Sequence, residues 1–217
     1  MKDFAVIFDM DGVLIDSNPY HKKALIQFCQ SHGYNLTEEE LKARIYGRTN
    51  KDWITNLFNG EVTGEELKRY ADEKEALFRQ LYEGFVEPVT GLETFLQMLE
   101  SQDITRAIAT SAPRANVDFT LQQTGMGKFF TTILDDSNVE HGKPDPEIYL
   151  KTASAIHYDP ENCVVIEDSL SGVMSAKQAG AKVIGITTTH SKDELSSTDL
   201  VIDDFTALNI EVIESIF

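Results

Sequence analysis

The sequence predicts an α/β protein: a parallel sheet with helices on both faces and an all-helical segment set in after the first strand. Three observations predict it. Phe4–Phe8 and Cys163–Ile166 are apolar runs without alternation, as expected of strands buried on both faces of a parallel sheet. From Gly91 onward strand-like runs alternate with helix-like stretches, the order that builds parallel βαβ units. Residues 16–85 hold several helical patterns and no strand candidate. The chain therefore reads as a doubly wound, Rossmann-like core of residues 1–15 and 86–217, with a helical cap domain of residues 16–85 inserted.

The elements follow in order. Phe4–Phe8 is the first strand, and Asp9-Met10-Asp11-Gly12 leaves it in a turn. Asp16-Ser17-Asn18-Pro19 starts a helix, with a polar cap and then proline. Ala24, Leu25, Phe28 and Cys29 form its apolar stripe, and His21 shares that face. Thr37 with Glu40 is a capping box for a second helix reaching about Ile45. Tyr46–Asn50 is a loop into a third helix through Trp53 and Leu57. A longer helix from Thr63 toward Gly84 carries Leu67, Tyr70, Ala71, Leu77, Phe78 and Leu81 on its stripe. Lys74 falls inside that stripe, whereas Asp72, Glu73 and Glu75 fall outside it. A lysine there either snorkels past its neighbours or aims at an anion.

Beyond Gly91, Leu92–Leu99 is a helix, Ile104–Thr110 a strand, and a helix starts at Pro113. Phe130–Leu134 is a short strand, and a helix follows Pro146 to about Ile156. Cys163–Ile166 is a strand ending in Glu167-Asp168-Ser169, and a helix then runs to Ala179. Val183–Ile186 and Leu200–Ile202 are strands, and a last helix begins near Phe205.

Nineteen basic against 36 acidic residues leave a net charge of −17. That excess, without a Lys/Arg cluster, argues against nucleic-acid binding. It also demands local cations for any anionic ligand. Cys29 and Cys163 lie apart in apolar patterns, as buried free thiols do. No signal peptide precedes the first strand and no apolar run approaches a membrane span, so a cytoplasmic, monomeric protein with no membrane partner is expected.

The chemistry-bearing residues gather at strand ends. The first strand ends in Asp9 and Asp11, the second in Thr110 and Ser111, and the strand from Cys163 in Glu167 and Asp168, while a loop supplies Lys143. In a parallel sheet these carboxyl ends share one edge, where ligands bind. Close carboxylates repel unless a cation compensates them, so the pattern suits either a hard cation such as Mg²⁺ or a carboxylate nucleophile. Taken singly, each residue has a plainer reading as a turn, a cap or a solvated side chain.

Together, these segments resemble the haloacid dehalogenase superfamily. Asp9-Met10-Asp11-Gly12-Val13 is similar to its first motif, Thr110 to its second, Gly142-Lys143-Pro144-Asp145-Pro146 to its third and Glu167-Asp168-Ser169 to its fourth. The helical insertion sits where the type I cap lies, and the pattern looks most like the β-phosphoglucomutase-like phosphatases. The resemblance implies that Asp9 is the nucleophile and Asp11 the general acid and base. It implies Mg²⁺ bound by Asp9, the Asp11 carbonyl and Asp168, with Glu167 a direct or water-mediated ligand. Thr110 and the Ser111 N–H would hold phosphoryl oxygens, and Lys143 would orient Asp9. His21, Gly47, Arg48 and Lys74 would contact substrate, and the hinges would lie near Ile15–Asn18 and Phe85–Val89. The second aspartate, Asp11, implies phosphoester chemistry rather than dehalogenation. The mutase loop reads Gly-x-Ser-Arg, whereas here Asn50 stands in the arginine's place. The expectation is a Mg²⁺-dependent phosphatase of a small phosphorylated metabolite, a sugar phosphate or pyrophosphate among the candidates, with a phosphomutase as the alternative.

Overall fold

A computed structural model describes residues 4–45 and 49–217. Six parallel strands form one sheet: β1 (Ala5–Phe8), β2 (Arg106–Ala109), β3 (Thr132–Leu134), β4 (Cys163–Glu167), β5 (Lys182–Ile186) and β6 (Leu200–Ile202), in the order β3-β2-β1-β4-β5-β6. The order reverses direction at β1, with β2 on one side and β4 on the other, which makes the carboxyl end of β1 the ligand crevice of such a sheet.

Every residue of β1 is fully buried, yet its side chains still alternate. Val6 and Phe8 enter one core layer with Phe95, Leu96, Leu99 and Ile213. Ala5 and Ile7 enter the opposite layer with Tyr149, Val173 and Ala176. Those partners lie on helices α5 (Leu92–Ser101) and α9 (Ile210–Glu214) on one face, and on α7 (Glu147–Ala155) and α8 (Leu170–Ala179) on the other. Helix α6 (Arg114–Thr124) adds Val117 to the first layer. Burying a large aliphatic or aromatic side chain contributes about 1.5–3 kcal/mol, so a strand covered on both faces has to be apolar throughout. The expected last helix starts later than read: Phe205–Ala207 is a short 3₁₀ turn, and α9 begins only after Asn209, whose side chain accepts from Val212 N–H.

The chain divides into two compact units. One ends at Asn18 and resumes as Phe85–Phe217; the other is Pro19–Gly84. Its boundaries fall three residues later and one earlier than those read from sequence. The second unit holds most of α1 (Asn18–Ser31), with α2 (Glu38–Arg44), α3 (Asn50–Leu57) and α4 (Gly64–Tyr82). Its core is Phe28, Cys29, Leu41, Ile45, Trp53, Ile54, Leu57 and Val62. The Thr37 capping box forms, with Thr37 N–H donating to Glu40 Oε2 at 2.8 Å and Glu40 N–H to Thr37 Oγ1 at 3.3 Å.

Glu75 on α4 was expected outside the apolar stripe, but it is only 6% exposed. Lys74 beside it is equally buried and donates to Glu75 Oε1 at 2.9 Å, so the two charges enter the interior as a pair. Asn50 Nδ2 reaches the same oxygen at 2.9 Å, and Trp53 Nε1 donates to Asn50 Oδ1 at 2.9 Å. Burial opposes the Glu75 charge, but Lys74, His21 and Asn50 hold its carboxyl below the usual range. A one-dimensional stripe cannot register such a pair, since a carboxylate enters a core only with its cation.

Both cysteines are buried free thiols; burial pushes Cys29 up to about 11 and Cys163 up to about 12. Among the described residues no helix is long and apolar enough to cross a membrane.

Candidate active site

Strand register builds the site. Phe8 lies level with Ile166 on β4 and Ile108 on β2, so Asp9, Glu167 and Ala109 come next at the same edge. Asp9 N–H donates to Ile166 O at 3.1 Å, which holds the chain in register one residue past β1. Met10 is fully buried in the first core layer. The turn then closes through Leu14 N–H to Met10 O at 2.9 Å and Gly12 N–H to Ile15 O at 2.8 Å, with Gly12 at φ +78°.

Asp9, Glu167 and Asp168 form a buried triad whose ligand-type oxygens lie within 4.8 Å of one another. Lys143 enters it from the loop before α7. Its Nζ donates to Asp9 Oδ1 at 2.7 Å, to Glu167 Oε1 at 2.6 Å and to the Ala109 carbonyl at 3.4 Å. The loop is fastened in turn: Ser175 Oγ donates to Asp145 O at 2.7 Å, and the Glu147 carboxylate takes the N–H groups of Glu140 and His141.

The three carboxylates are not equivalent. Burial works against the charge on Glu167, but Lys143 and the N–H of Ser169 hold its carboxyl below the usual range. Burial raises Asp9 well above its ordinary value, with Lys143 opposing and Glu167 and Asp168 adding to the rise. Asp168 is pushed up to about 7, first by burial and then by the charge of Glu167. Lys143 thus helps to keep Glu167 charged, while burial and the neighbouring carboxylates raise Asp9 and Asp168.

That imbalance tests whether a divalent cation fits. The donors are all carboxylate oxygens, the set a hard cation takes. Glu167 is already committed: Oε1 accepts from Lys143 and Tyr149, and Oε2 accepts from Asp168 N–H, Ser169 N–H and Ser169 Oγ. Among the described residues, no hydrogen bond reaches Asp9 Oδ2 or Asp168 Oδ1. The residues therefore fit Mg²⁺, with Asp9 and Asp168 as the open carboxylates.

The other expected residues are placed as follows. Asp11 lies outside the triad; its Oδ1 accepts from Ser17 Oγ at 2.6 Å, and its charge is among those raising Asp168. Thr110 is buried just past β2, its Oγ1 accepting from Ala112 N–H at 3.1 Å, and Ser111 beside it is exposed. His21 and Lys74 meet in the helical unit, His21 Nδ1 and Lys74 Nζ at 2.9 Å, with His21 stacked on Phe78 at 3.7 Å. Gly47 and Arg48 lie outside the described residues.

Several site residues escaped the reading of the sequence. Tyr149 sits on α7 with its hydroxyl 2.8 Å from Glu167 Oε1 and its ring 4.9 Å from Lys143 Nζ. It looked like an ordinary apolar residue of a helix, and nothing local marks it. Gly172 did carry a signal, a glycine in the first turn of a helix, which often marks a close approach. A Cβ at 172 would lie 1.7 Å from Glu167 Oε1, and one at Gly12 would lie 2.0 Å from Asp168 Oδ2. Gly172→Ala should lower stability by about 1–3 kcal/mol through overpacking, although alanine is the better helix former by roughly 1 kcal/mol. Urea unfolding reads this, and an unchanged or raised midpoint would refute the close approach.

A model of the family described as haloacid dehalogenase-like hydrolase matches residues 6–186. A phosphorylated carbohydrates phosphatase from Thermotoga maritima is 36% identical over 184 residues, 83% of each chain. A β-phosphoglucomutase from Bacillus subtilis is 26% identical over 218 residues, 96% of this chain and 93% of its own. Among solved structures, a family IA, variant 3 hydrolase of the same superfamily from Entamoeba histolytica superposes with a TM-score of 0.91 at 33% identity, covering 98% of both chains.

Proposed function

Because the chain belongs to the haloacid dehalogenase-like hydrolases, we propose that it is a Mg²⁺-dependent phosphatase of small phosphorylated carbohydrates that works through an aspartyl-phosphate on Asp9. The observation that carries this reading is the Asp9–Lys143–Glu167 arrangement at the end of β1. Lys143 orients the Asp9 carboxylate, one oxygen of which would attack phosphorus while the other faces the metal. As the P–O bond to the sugar oxygen breaks, Asp11 gives that oxygen a proton. Asp11 then takes a proton from water as the water attacks the phosphoryl group, which frees inorganic phosphate and restores Asp9. Thr110 and the Ser111 N–H would donate to phosphoryl oxygens, and Lys143 would offset charge in the transition state. Mg²⁺, held by Asp9, Asp168 and the Asp11 carbonyl, would neutralise phosphoryl oxygens beside these carboxylates. Glu167 would act through Lys143 and bound water.

The helical unit would be the cap that selects substrates, with His21, Gly47, Arg48 and Lys74 as its contacts. Hydrolysis is favoured over phosphoryl transfer between sugar positions because Asn50, in the place of the mutase arginine, is spent on Glu75 and Trp53. The similarity to the Bacillus mutase keeps the second reading in view. The same reading takes the protein as a cytoplasmic monomer.

A phosphate-release screen with Mg²⁺ over sugar phosphates, nucleotides, phosphoglycolate and pyrophosphate tests this. Release from a sugar monophosphate, abolished by chelator, is the expected result. Conversion of β-glucose 1-phosphate to glucose 6-phosphate without phosphate release would overturn it in favour of the mutase.

A further inference from the structure

The run Thr187-Thr188-Thr189 follows β5 at the same sheet edge as the triad. Each hydroxyl has a different partner. Thr187 Oγ1 donates to Asp203 Oδ1 at 2.9 Å, and Thr187 N–H to Ile202 O at 3.0 Å, which ties the run to the end of β6. Thr188 Oγ1 donates to the Gly12 carbonyl at 2.5 Å, in the turn that carries Asp9 and Asp11. Thr189 Oγ1 donates to Asp168 Oδ2.

The direction of the last bond is set by Asn18. Its Nδ2 lies 2.7 Å from Thr189 Oγ1 and 3.5 Å from Asp168 Oδ2. An amide nitrogen only donates, so Thr189 accepts from Asn18 and its single hydrogen is left for the carboxylate. The flipped amide would set its oxygen against Asp168, so the network itself assigns the orientation. Gly12 closes the remaining side, since even a methyl group there would overlap Oδ2. Asp168 is thus held by one oxygen alone, and its other oxygen takes no donor from the described residues.

We propose that Thr189, held by Asn18, is a positioning residue that locks one Asp168 oxygen so that the other is presented to the divalent cation. The inference rests on the metal reading above and adds residues that none of the four motifs contains. Partners of this kind fix ligand orientation, and losing one typically costs ten- to a hundredfold in metal affinity. Thr189 is exposed, so valine keeps its shape while removing only the hydroxyl.

The test is Mg²⁺ binding by titration calorimetry to the chelator-stripped, full-length protein, with Mn²⁺ binding by electron paramagnetic resonance alongside. Thr189→Val should weaken both by about tenfold or more, Thr189→Ser should restore them to near the unaltered value, and Asn18→Ala should weaken them by a smaller factor. Phosphate release by Thr189→Val should need correspondingly more Mg²⁺. Equal Mg²⁺ affinity in Thr189→Val and the unaltered protein would overturn the proposal alone. Failure of the unaltered protein to bind Mg²⁺ would overturn the metal reading and this proposal with it.

Discussion

Asp9→Asn should lower turnover by about 10⁵-fold or more, the scale seen when a nucleophile is removed from a catalytic unit. The amide keeps the size of the carboxylate, and its oxygen can still accept from Lys143, which now donates to Asp9 Oδ1 at 2.7 Å. The substitution also removes one of three clustered carboxylates, and the one that burial and its carboxylate neighbours raise well above its ordinary value against the pull of Lys143. Stability should therefore hold or rise, and the urea midpoint reads this. Acid-quenched reactions with labelled substrate should trap phosphate on the unaltered protein and none on the variant. Turnover within tenfold of normal, or equal trapping in both, would remove Asp9 from the role of nucleophile.

Lys143→Met should be costly in both stability and rate. Its ammonium is buried between Asp9 and Glu167 and lies over the Tyr149 ring. Burial acts against its charge, but the two carboxylates raise its pKa well above the ordinary lysine value, so it is charged throughout the working range. Methionine fills similar space and removes the charge, which leaves Glu167 unpaired in a fully buried position. Breaking a buried pair in this way costs about 3–5 kcal/mol. The rate should fall by about 10²–10³, as for loss of a donor aimed at developing charge. Unfolding and steady-state rates separate the two effects. A variant as stable as the parent would mean that Lys143 does not compensate Glu167, and an unchanged kcat would exclude it from the chemistry.

The two effects share one cause. The sheet gathers three carboxylates into one buried space, and Lys143 offsets part of the cost of their charges. A divalent cation would offset the rest.

Much of this was legible in the chain itself. The unbroken apolar runs of β1 and β4 announce strands covered on both faces, because only such burial tolerates no polar residue on either side. Asp9, Thr110, Lys143, Glu167 and Asp168 were legible as strand-end or loop residues, since the parallel order brings those ends to one edge however far apart they are in sequence. What the chain could not reveal depends on distance between elements. Glu75 reads as a surface residue until α3 brings Asn50 to it. Tyr149 reads as filler until α7 packs its hydroxyl on Glu167, and Gly172 reads as a weak helix position until α8 comes down on that carboxylate. Thr189 and Asn18 are separated by 171 residues and meet only at Asp168. Periodicity and local chemistry thus determined the sheet, its edge and the charged residues along it, because each is a property of a few consecutive side chains. Tertiary structure alone decided which hydrogen bonds saturate Glu167 and which oxygen of Asp168 stays open, because a carboxylate's partners are set by packing in three dimensions.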